Sequence, residues 1–310
     1  MEVIKSSNFS DLNIGPLVLA IGVFDGLHFG HQRIIKNAKK IAADNKLPVG
    51  IYTFTPNPLK VLKPALAPRS LISNRQKIEL LFNYDLDYYL EQKFTLKFAA
   101  LDYHDFVKNT LINNLKVSCL VVGEDFQLGN KGEGSLDKLI EIGESLNLKV
   151  IGIKNKKIEN KRVSSTLIRE LIEKGTVNKV KKYMGRNYCL NAKIVKGFGR
   201  GNRMGIPTAN LKLEDDYTLP PDGVYSCYVY YNNEKYIGLV NFGNNPTFPG
   251  VNYSIEVHIL DFTYKDLYCE RLSIEVVEHI RGEVIFNNTE ELVEQIKKDI
   301  LYTQNLLCYN

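Results

Sequence analysis

The apolar positions of this chain change period near residue 184: before it, short apolar runs alternate with stretches of helical spacing, and beyond it segments of period two follow one another. Two architectures are therefore expected. Residues 18–23 (VLAIGV) form an apolar run with the pattern of a strand covered on both faces in a parallel sheet. From Gly30 the spacing predicts a helix with Ile34, Ile35, Ala38 and Ile41 on one stripe. Further strands are predicted at 49–54, 88–90, 119–122 and 150–153, and further helices from Ser73 (a capping box with Gln76), at 105–115, at 135–146 and within 162–172. Such alternation predicts a doubly wound parallel sheet of Rossmann-like type. A short helix over 176–183 closes this half, and Gly185-Arg186-Asn187 reads as the link, giving expected domains 1–184 and 185–310.

In the second half, residues 188–196, 224–231, 236–241, 253–260 and 272–277 are rich in Tyr, Val and Ile and read as strands. Asn232-Asn233 and Pro221-Asp222-Gly223 mark tight turns between them. Strands without intervening helices predict a small closed β-barrel, followed by a C-terminal helix from Thr289 with Leu292, Ile296 and Ile300 on one face.

Composition supports a globular chain: 310 residues allow two cores, and 44% hydrophobic with 24% charged residues is ordinary for such proteins. No apolar run reaches the roughly 18 residues of a membrane span, and the N-terminus carries no signal-like stretch, so a cytoplasmic protein without a membrane partner is expected. Five scattered cysteines without a C-x-x-C spacing argue against a disulfide framework or a zinc site. The net charge of +5 lies largely in the runs 154–162 and 179–186, which read as solvated faces; no nucleic-acid partner is expected, and the protein is expected to be a monomer or weak homo-oligomer.

Candidate chemistry concentrates in six places. Gly22, Phe24, Gly26 and Gly30 lie in a glycine-rich passage from strand to helix, with His28 and His31 at the helix mouth, where free N–H groups and the dipole attract phosphate. Residues 162–172 (RVSSTLIRELI) begin a helix with the capping residues Ser164, Ser165 and Thr166, yet Arg169 falls within the first turn or so, where a cation opposes the dipole and requires an anionic partner. Two loops lie at carboxyl ends of predicted strands: a proline-rich stretch over 55–70, and the segment 123–134, which contains Asp125 and Phe126. In the second half, residues 197–211 (GFGRGNRMGIPTANL) combine a glycine-rich flap, including Gly197, Gly199, Arg200 and Gly205, with Thr208 and Asn210, hard oxygen ligands suited to Mg²⁺. In residues 254–262 (SIEVHILDF), strand alternation places Ser254, Glu256, His258 and Leu260 on one face, with Ile255, Val257 and Ile259 facing the core.

The segment GVFDGLHFGH resembles the signature of the adenylyltransferase module of the bacterial bifunctional riboflavin kinase/FAD synthetase family, a branch of the H-x-G-H nucleotidyltransferases. SSTLIR is similar to that family's second phosphate-binding signature, and the PTAN segment resembles its kinase motif. Residues 239–248 and the segment from Arg281 match family segments around flavin and nucleotide, so the resemblance covers essentially the whole chain. It implies phosphorylation of riboflavin by ATP to FMN, then adenylylation of FMN by a second ATP to FAD and pyrophosphate, with Mg²⁺ as cofactor and small molecules as partners. By the same resemblance, Glu256 is the base, Thr208 and Asn210 hold the metal, and His28, His31 and Arg169 stabilise charge. Gly22, Phe24, Gly26, Gly30, Ser164, Ser165, Thr166, Gly197, Gly199, Arg200, Gly205 and Asn241 would contact nucleotide, and Pro56, Asn57, Pro58, Asp125, Phe126 and Arg281 the flavin.

The chain departs from the family pattern at Asn57, where a histidine is common in T-F-x-P-H-P, and at Gln127-Leu128, where Arg-Phe is common. Asparagine keeps hydrogen-bond donors but carries no proton or charge. Three alternatives stay open on the residues: a riboflavin kinase with a weak or inactive adenylyltransferase module, a non-catalytic flavin-binding protein, and an adenylyltransferase of another small phosphate ester, which would leave the PTAN barrel without a role.

Overall fold

The computed structural model describes residues 1–6, 9–10, 12, 14–196, 204–243, 254–263 and 268–308. The chain forms two compact units, Met1–Pro68 with Asn74–Ser164, and Arg69–Ser73 with Ser165–Asn310.

The strands of the first unit are β1 (Glu2–Ser6), β2 (Leu17–Ile21), β3 (Val49–Thr55), β4 (Tyr88–Lys93), β5 (Val117–Gly123), the hairpin β6 (Gln127–Leu128) with β7 (Gly134–Ser135), β8 (Lys149–Ile153), and the hairpin β9 (Lys157–Ile158) with β10 (Lys161–Arg162). Six of them make one parallel sheet in the order β1-β4-β3-β2-β5-β8. The helices are α1 (Phe29–Asn45), α2 (Pro58–Leu62), α3 (Asn74–Phe82), α4 (Leu96–Ala99), α5 (Tyr103–Asp105) and α6 (Leu136–Ser145). β2 is buried along its whole length, as its unbroken apolar run requires. Leu17, Leu19 and Ile21 join a core with Tyr52, Leu90, Phe106, Leu111 and Leu120, whereas α1 packs on β2 and buries Ile35, Ala38 and Ala42. Phe94 meets Phe54 and Phe98 edge-on at 5.7 and 5.6 Å, a geometry worth about 0.5–1.5 kcal/mol per pair beyond the area buried. β2 lies between β3 and β5, so its carboxyl end sits where the strand order reverses, the place open α/β sheets offer to ligands.

The structure departs from the expected elements in three places. Residues 2–6 (EVIKS) carry no period-two pattern that would predict a strand, yet they pair with β4 as the edge strand β1. Within the proline-rich stretch, residues 58–62 form α2 and 64–66 a 3₁₀ turn, because Pro58 and Pro64 occupy first helical positions where the missing N–H costs nothing. Residues 106–114, expected as part of an ordinary helix, are π-helical.

In the second unit, α7 (Ser165–Glu173), a 3₁₀ turn (Val177–Lys179) and α8 (Lys181–Met184) precede a closed antiparallel barrel. Its strands are β11 (Tyr188–Val195), β12 (Ala209–Leu213), β13 (Gly223–Tyr231), β14 (Glu234–Gly243), β15 (Ser254–Ile259) and β16 (Arg271–Arg281), joined in the order β11-β12-β15-β14-β13-β16. The change of periodicity marks residues 184/185, whereas compactness divides the chain at Ser164/Ser165: Ile168, Ile172, Val177 and Val180 are buried, and the 3₁₀ turn packs on β16. β12 (ANLKL) alternates apolar and polar residues, but a five-residue run directly after a glycine-rich segment is too short to separate from the loop, so it is not among the expected strands.

The C-terminal helix α9 (Thr289–Cys308) is fastened to the barrel by polar contacts. Arg281 Nε and Nη2 each approach Asp299 Oδ2 at 2.9 Å, and Ser226 Oγ and Thr303 Oγ1 lie 2.8 Å apart. Asp299 is 2% exposed, so removing it leaves a guanidinium without its buried counter-ion. The Asp299→Ala variant is expected to lose about 3–5 kcal/mol of stability, read as a lower urea midpoint by circular dichroism; an unchanged midpoint would show the pair to be dispensable.

Candidate functional site

In the first unit the candidate turn starts where β2 ends. Phe24, Gly26 and Leu27 take positive φ angles of 53°, 86° and 42°. Only glycine adopts this region freely, and bulky residues held there cost about 1–3 kcal/mol each. Burial holds them: Phe24 and Leu27 are almost fully enclosed. Hydrogen bonds fix the turn's backbone as well. The Val23 carbonyl accepts from Lys77 Nζ at 2.8 Å and from Thr53 Oγ1 at 3.3 Å, and Gln32 Nε2 donates to the Leu27 carbonyl at 3.0 Å.

His28 is the N-cap of α1, its Nδ1 accepting the His31 backbone N–H at 3.3 Å. In the neutral ring this bond puts the proton on Nε2. The His31 ring stacks on that of His28, with centroids 3.7 Å apart and planes at 15°, and meets Phe24 edge-on at 5.4 Å. The glycine between them has a steric reason: a Cβ at Gly30 would lie 3.0 Å from the His28 ring. At Gly22 a Cβ would come within 3.2 Å of the Phe24 ring. The H-x-G-H spacing thus stacks two rings at a helix N-terminus, where the dipole favours an anion.

Lys77 and Thr53 were not legible as site residues. Nothing in the sequence pattern singles out Lys77, yet it is 7% exposed and reaches a carbonyl 54 residues away. Nearby, Asn74 Nδ2 donates to Glu91 Oε2 at 2.6 Å, and the Tyr89 hydroxyl donates to Asn74 Oδ1 at 3.0 Å. Burial, and then the Glu91 carboxylate, push the Tyr89 phenol up, so it stays a donor.

Among the remaining candidates, Ser164 closes the first unit, while Ser165, Thr166 and Arg169 belong to α7 in the second. Arg169 is the fifth residue of that helix, and its Nε donates to the Arg69 carbonyl at 2.8 Å. Asn57, next to Pro56, caps α2, its Oδ1 accepting the Leu59 N–H at 3.0 Å, and Pro58 opens the helix. Asp125 pairs with Arg162, and Phe126 packs against the first unit's core. Arg281, expected at the flavin, grips Asp299 of α9. Asn57 and Arg281 therefore have local structural duties that the sequence does not display.

The second unit brings its candidates into one row. Along β15 the residues alternate, with Ser254, Glu256 and His258 half-buried and Ile255, Val257 and Ile259 buried, as the pattern predicts; Leu260, just past the strand, is buried instead of sharing the polar face. Glu256 stands opposite Asn210 of β12 on one side and Asn241 of β14 on the other, and residues directly opposite share a face. Thr208 Oγ1 donates to Glu256 Oε2 at 3.2 Å, and Ser254 Oγ to Oε1 at 3.3 Å, so each carboxylate oxygen has a hydroxyl partner. His258 Nδ1 donates to the Pro207 carbonyl at 2.7 Å and ties the PTAN segment to β15. Gly205 has φ 72°. Gly197, Gly199 and Arg200 lie outside the described residues.

A hydroxyl, an amide oxygen and a carboxylate form a hard, all-oxygen set. Among the described residues no group of three His, Cys, Asp or Glu side chains could cage a metal, and Mg²⁺, which keeps several waters and takes phosphate oxygens, needs no such cage. The set fits that ion.

A parallel sheet with stacked histidines at a helix N-terminus, in one chain with a closed barrel bearing a Thr–Asn–Glu cluster, defines a two-module nucleotide-handling protein. Residues 12–167 match the family model described as FAD synthetase, and residues 184–307 the one described as riboflavin kinase. The chain is 35% identical over 299 residues to the bifunctional riboflavin kinase/FMN adenylyltransferase of Bacillus subtilis, covering 93% of each. It is 33% identical over 308 residues to the protein of that description from Buchnera aphidicola subsp. Schizaphis graminum, covering 97% of each. The crystal structure of a protein described as a macrolide-efflux protein from Streptococcus pneumoniae has the same fold, with a TM-score of 0.86 and 30% identity over 98% of this chain and 99% of that one. No helix among the described residues is long and apolar enough to cross a membrane. The chain belongs to the bifunctional riboflavin kinase/FMN adenylyltransferase family.

Replacing Lys77 by Met strips the Val23 carbonyl of its charged donor. The Lys77→Met variant is expected to lose about 1–3 kcal/mol of stability in thermal unfolding, with Lys77→Arg losing less. Equal stability of Lys77→Met and the parent protein would remove Lys77 from the support of the turn.

Proposed function

We propose that this chain makes FMN from riboflavin and ATP, and FAD and pyrophosphate from FMN and a second ATP, the kinase reaction in residues 185–310 and adenylyl transfer in 1–184. The observation that carries the kinase reading is the row Asn210–Glu256–Asn241, with the Thr208 hydroxyl bonded to the Glu256 carboxylate. Glu256 takes the proton of the riboflavin 5′-hydroxyl as its oxygen attacks the γ-phosphorus, and ADP leaves. Thr208 and Asn210 would hold Mg²⁺, whose charge would offset that of the ATP phosphates. The bonds from Thr208 and Ser254 orient the carboxylate, and His258 keeps the PTAN segment beside it.

In adenylyl transfer the FMN phosphate is already an anion, so no general base is needed. Its oxygen forms a bond to the α-phosphorus while the bond to the pyrophosphate oxygen breaks. His28, His31, the N–H groups opening α1 and Arg169 stabilise the charge that develops. The supporting observation is the N-cap geometry of His28, whose Nδ1 accepts the His31 N–H and so leaves the proton of the neutral ring on Nε2 at the opening of α1. Of the flavin candidates, Pro56, Pro58 and Phe126 offer apolar surface. Asn57 acts by shaping α2, and the chain works in the cytoplasm as a monomer or weak oligomer on small-molecule substrates.

The decisive experiment incubates the pure protein with riboflavin, ATP and Mg²⁺ and separates riboflavin, FMN and FAD. FAD accumulation is expected; FMN alone would leave only the kinase, and no product would leave a flavin binder. Glu256→Ala is expected to lower FMN formation at least 100-fold, the scale of general-base catalysis, while FAD formation from supplied FMN persists. Retained kinase turnover would exclude Glu256 as the base.

A further inference from the structure

Five residues of the N-terminal half, Arg69–Ser73, are built into the second unit. Ser70 pairs with Tyr217 in a parallel bridge; its N–H donates to the Asp216 carbonyl at 2.8 Å, and its carbonyl accepts the Thr218 N–H at 2.9 Å. Arg69 Nε lies 3.3 Å from Asp216 Oδ1. The Arg69 carbonyl receives two side-chain donors, Arg169 Nε at 2.8 Å and Thr218 Oγ1 at 3.2 Å. Thr218 itself is 1% exposed, and its carbonyl accepts the buried Tyr188 hydroxyl at 2.6 Å, so all three of its polar groups are fixed.

We propose that Thr218 is a positioning residue for Arg169, acting through the Arg69 carbonyl. Arginine presents its donors as a rigid fork, so anchoring Nε to a fixed carbonyl sets the plane and direction of the whole guanidinium. An arginine anchored this way spends less rotamer freedom when it meets a phosphate. The acceptor is fixed in turn: Thr218 holds the Arg69 carbonyl from the opposite partner, and Tyr188 and Ser70 hold Thr218. Sequence distance hides this chain, since Arg69, Arg169 and Thr218 are separated by 100 and 149 residues along the two hydrogen bonds. Ordinary capping does not explain it, because Thr218 caps no helix and its hydroxyl is spent on the carbonyl that Arg169 uses.

The inference rests on the role proposed above for Arg169, and the test separates the two. FAD formation from supplied FMN and ATP, and FMN formation from riboflavin and ATP, are measured on the full chain. Thr218→Val keeps shape and removes the hydroxyl; losing one neutral hydrogen bond predicts a fall of about two- to tenfold in kcat/KM for adenylylation. Kinase kcat and KM should be unchanged, and Thr218→Ser should restore adenylylation. In an Arg169→Lys background, which lacks Nε, Thr218→Val should bring no further loss, because the two changes act through one contact. An equal further loss in that background, or no loss in the parent, overturns the inference. If Arg169→Ala leaves FAD formation intact, the role of Arg169 fails and the inference with it; if Arg169→Ala cripples it while Thr218→Val does not, the inference alone fails.

Discussion

The turn between β2 and α1 depends on a buried cation. Lys77 Nζ holds the Val23 carbonyl, and from there the chain passes through Phe24, Gly26 and Leu27 in left-handed conformations before α1 begins. A turn with two bulky residues at positive φ persists only where its surroundings over-determine it. Here the enclosure of Phe24 and Leu27, the Thr53 and Gln32 hydrogen bonds and the Lys77 ammonium supply that determination. Their product is a helix N-terminus capped by one histidine with a second stacked upon it. Strain, capping and the free N–H groups of α1 are thus parts of one device for meeting an anion.

The barrel solves a different problem by register. Closure of six antiparallel strands leaves a buried interior and an outer face along each strand, and on β15 the alternation of burial assigns Glu256 to the polar face. Pairing with β12 and β14 then brings Asn210 and Asn241 level with it. A shift of one residue in either pairing would carry the asparagine to the opposite face. The hydroxyls of Thr208 and Ser254 and the His258–Pro207 bond hold the arrangement, so the carboxylate is oriented by hydrogen bonds as well as by backbone geometry.

Several residues changed meaning once they had neighbours. Asn57 stands where the family commonly has histidine, and it serves here as the N-cap of α2, a role asparagine fills well. Arg281, expected at the flavin, pairs with the buried Asp299. Lys77, which the sequence pattern does not single out, proves to be buried. In each case the residue type was informative about its chemistry, a cap acceptor or a cation, but not about the atom that would use it, because the partner lies elsewhere in the chain or in an element the pattern does not predict.

Local physics is what the sequence determined by itself. Burial of β2 on both faces, the helical stripe of α1, the alternation of β15, the H-x-G-H and PTAN spacings and the two-part organisation all follow from periodicities of two and 3.6 residues or from contacts a few residues apart. Tertiary structure decided the rest: that Glu2–Ser6 becomes an edge strand, that residues 165–184 pack with the barrel, that Lys77 reaches Val23, and that Arg69, Arg169 and Thr218 meet. Those outcomes depend on long-range pairing, which fixes a side chain's partner only after the strands and helices between the two have found their places.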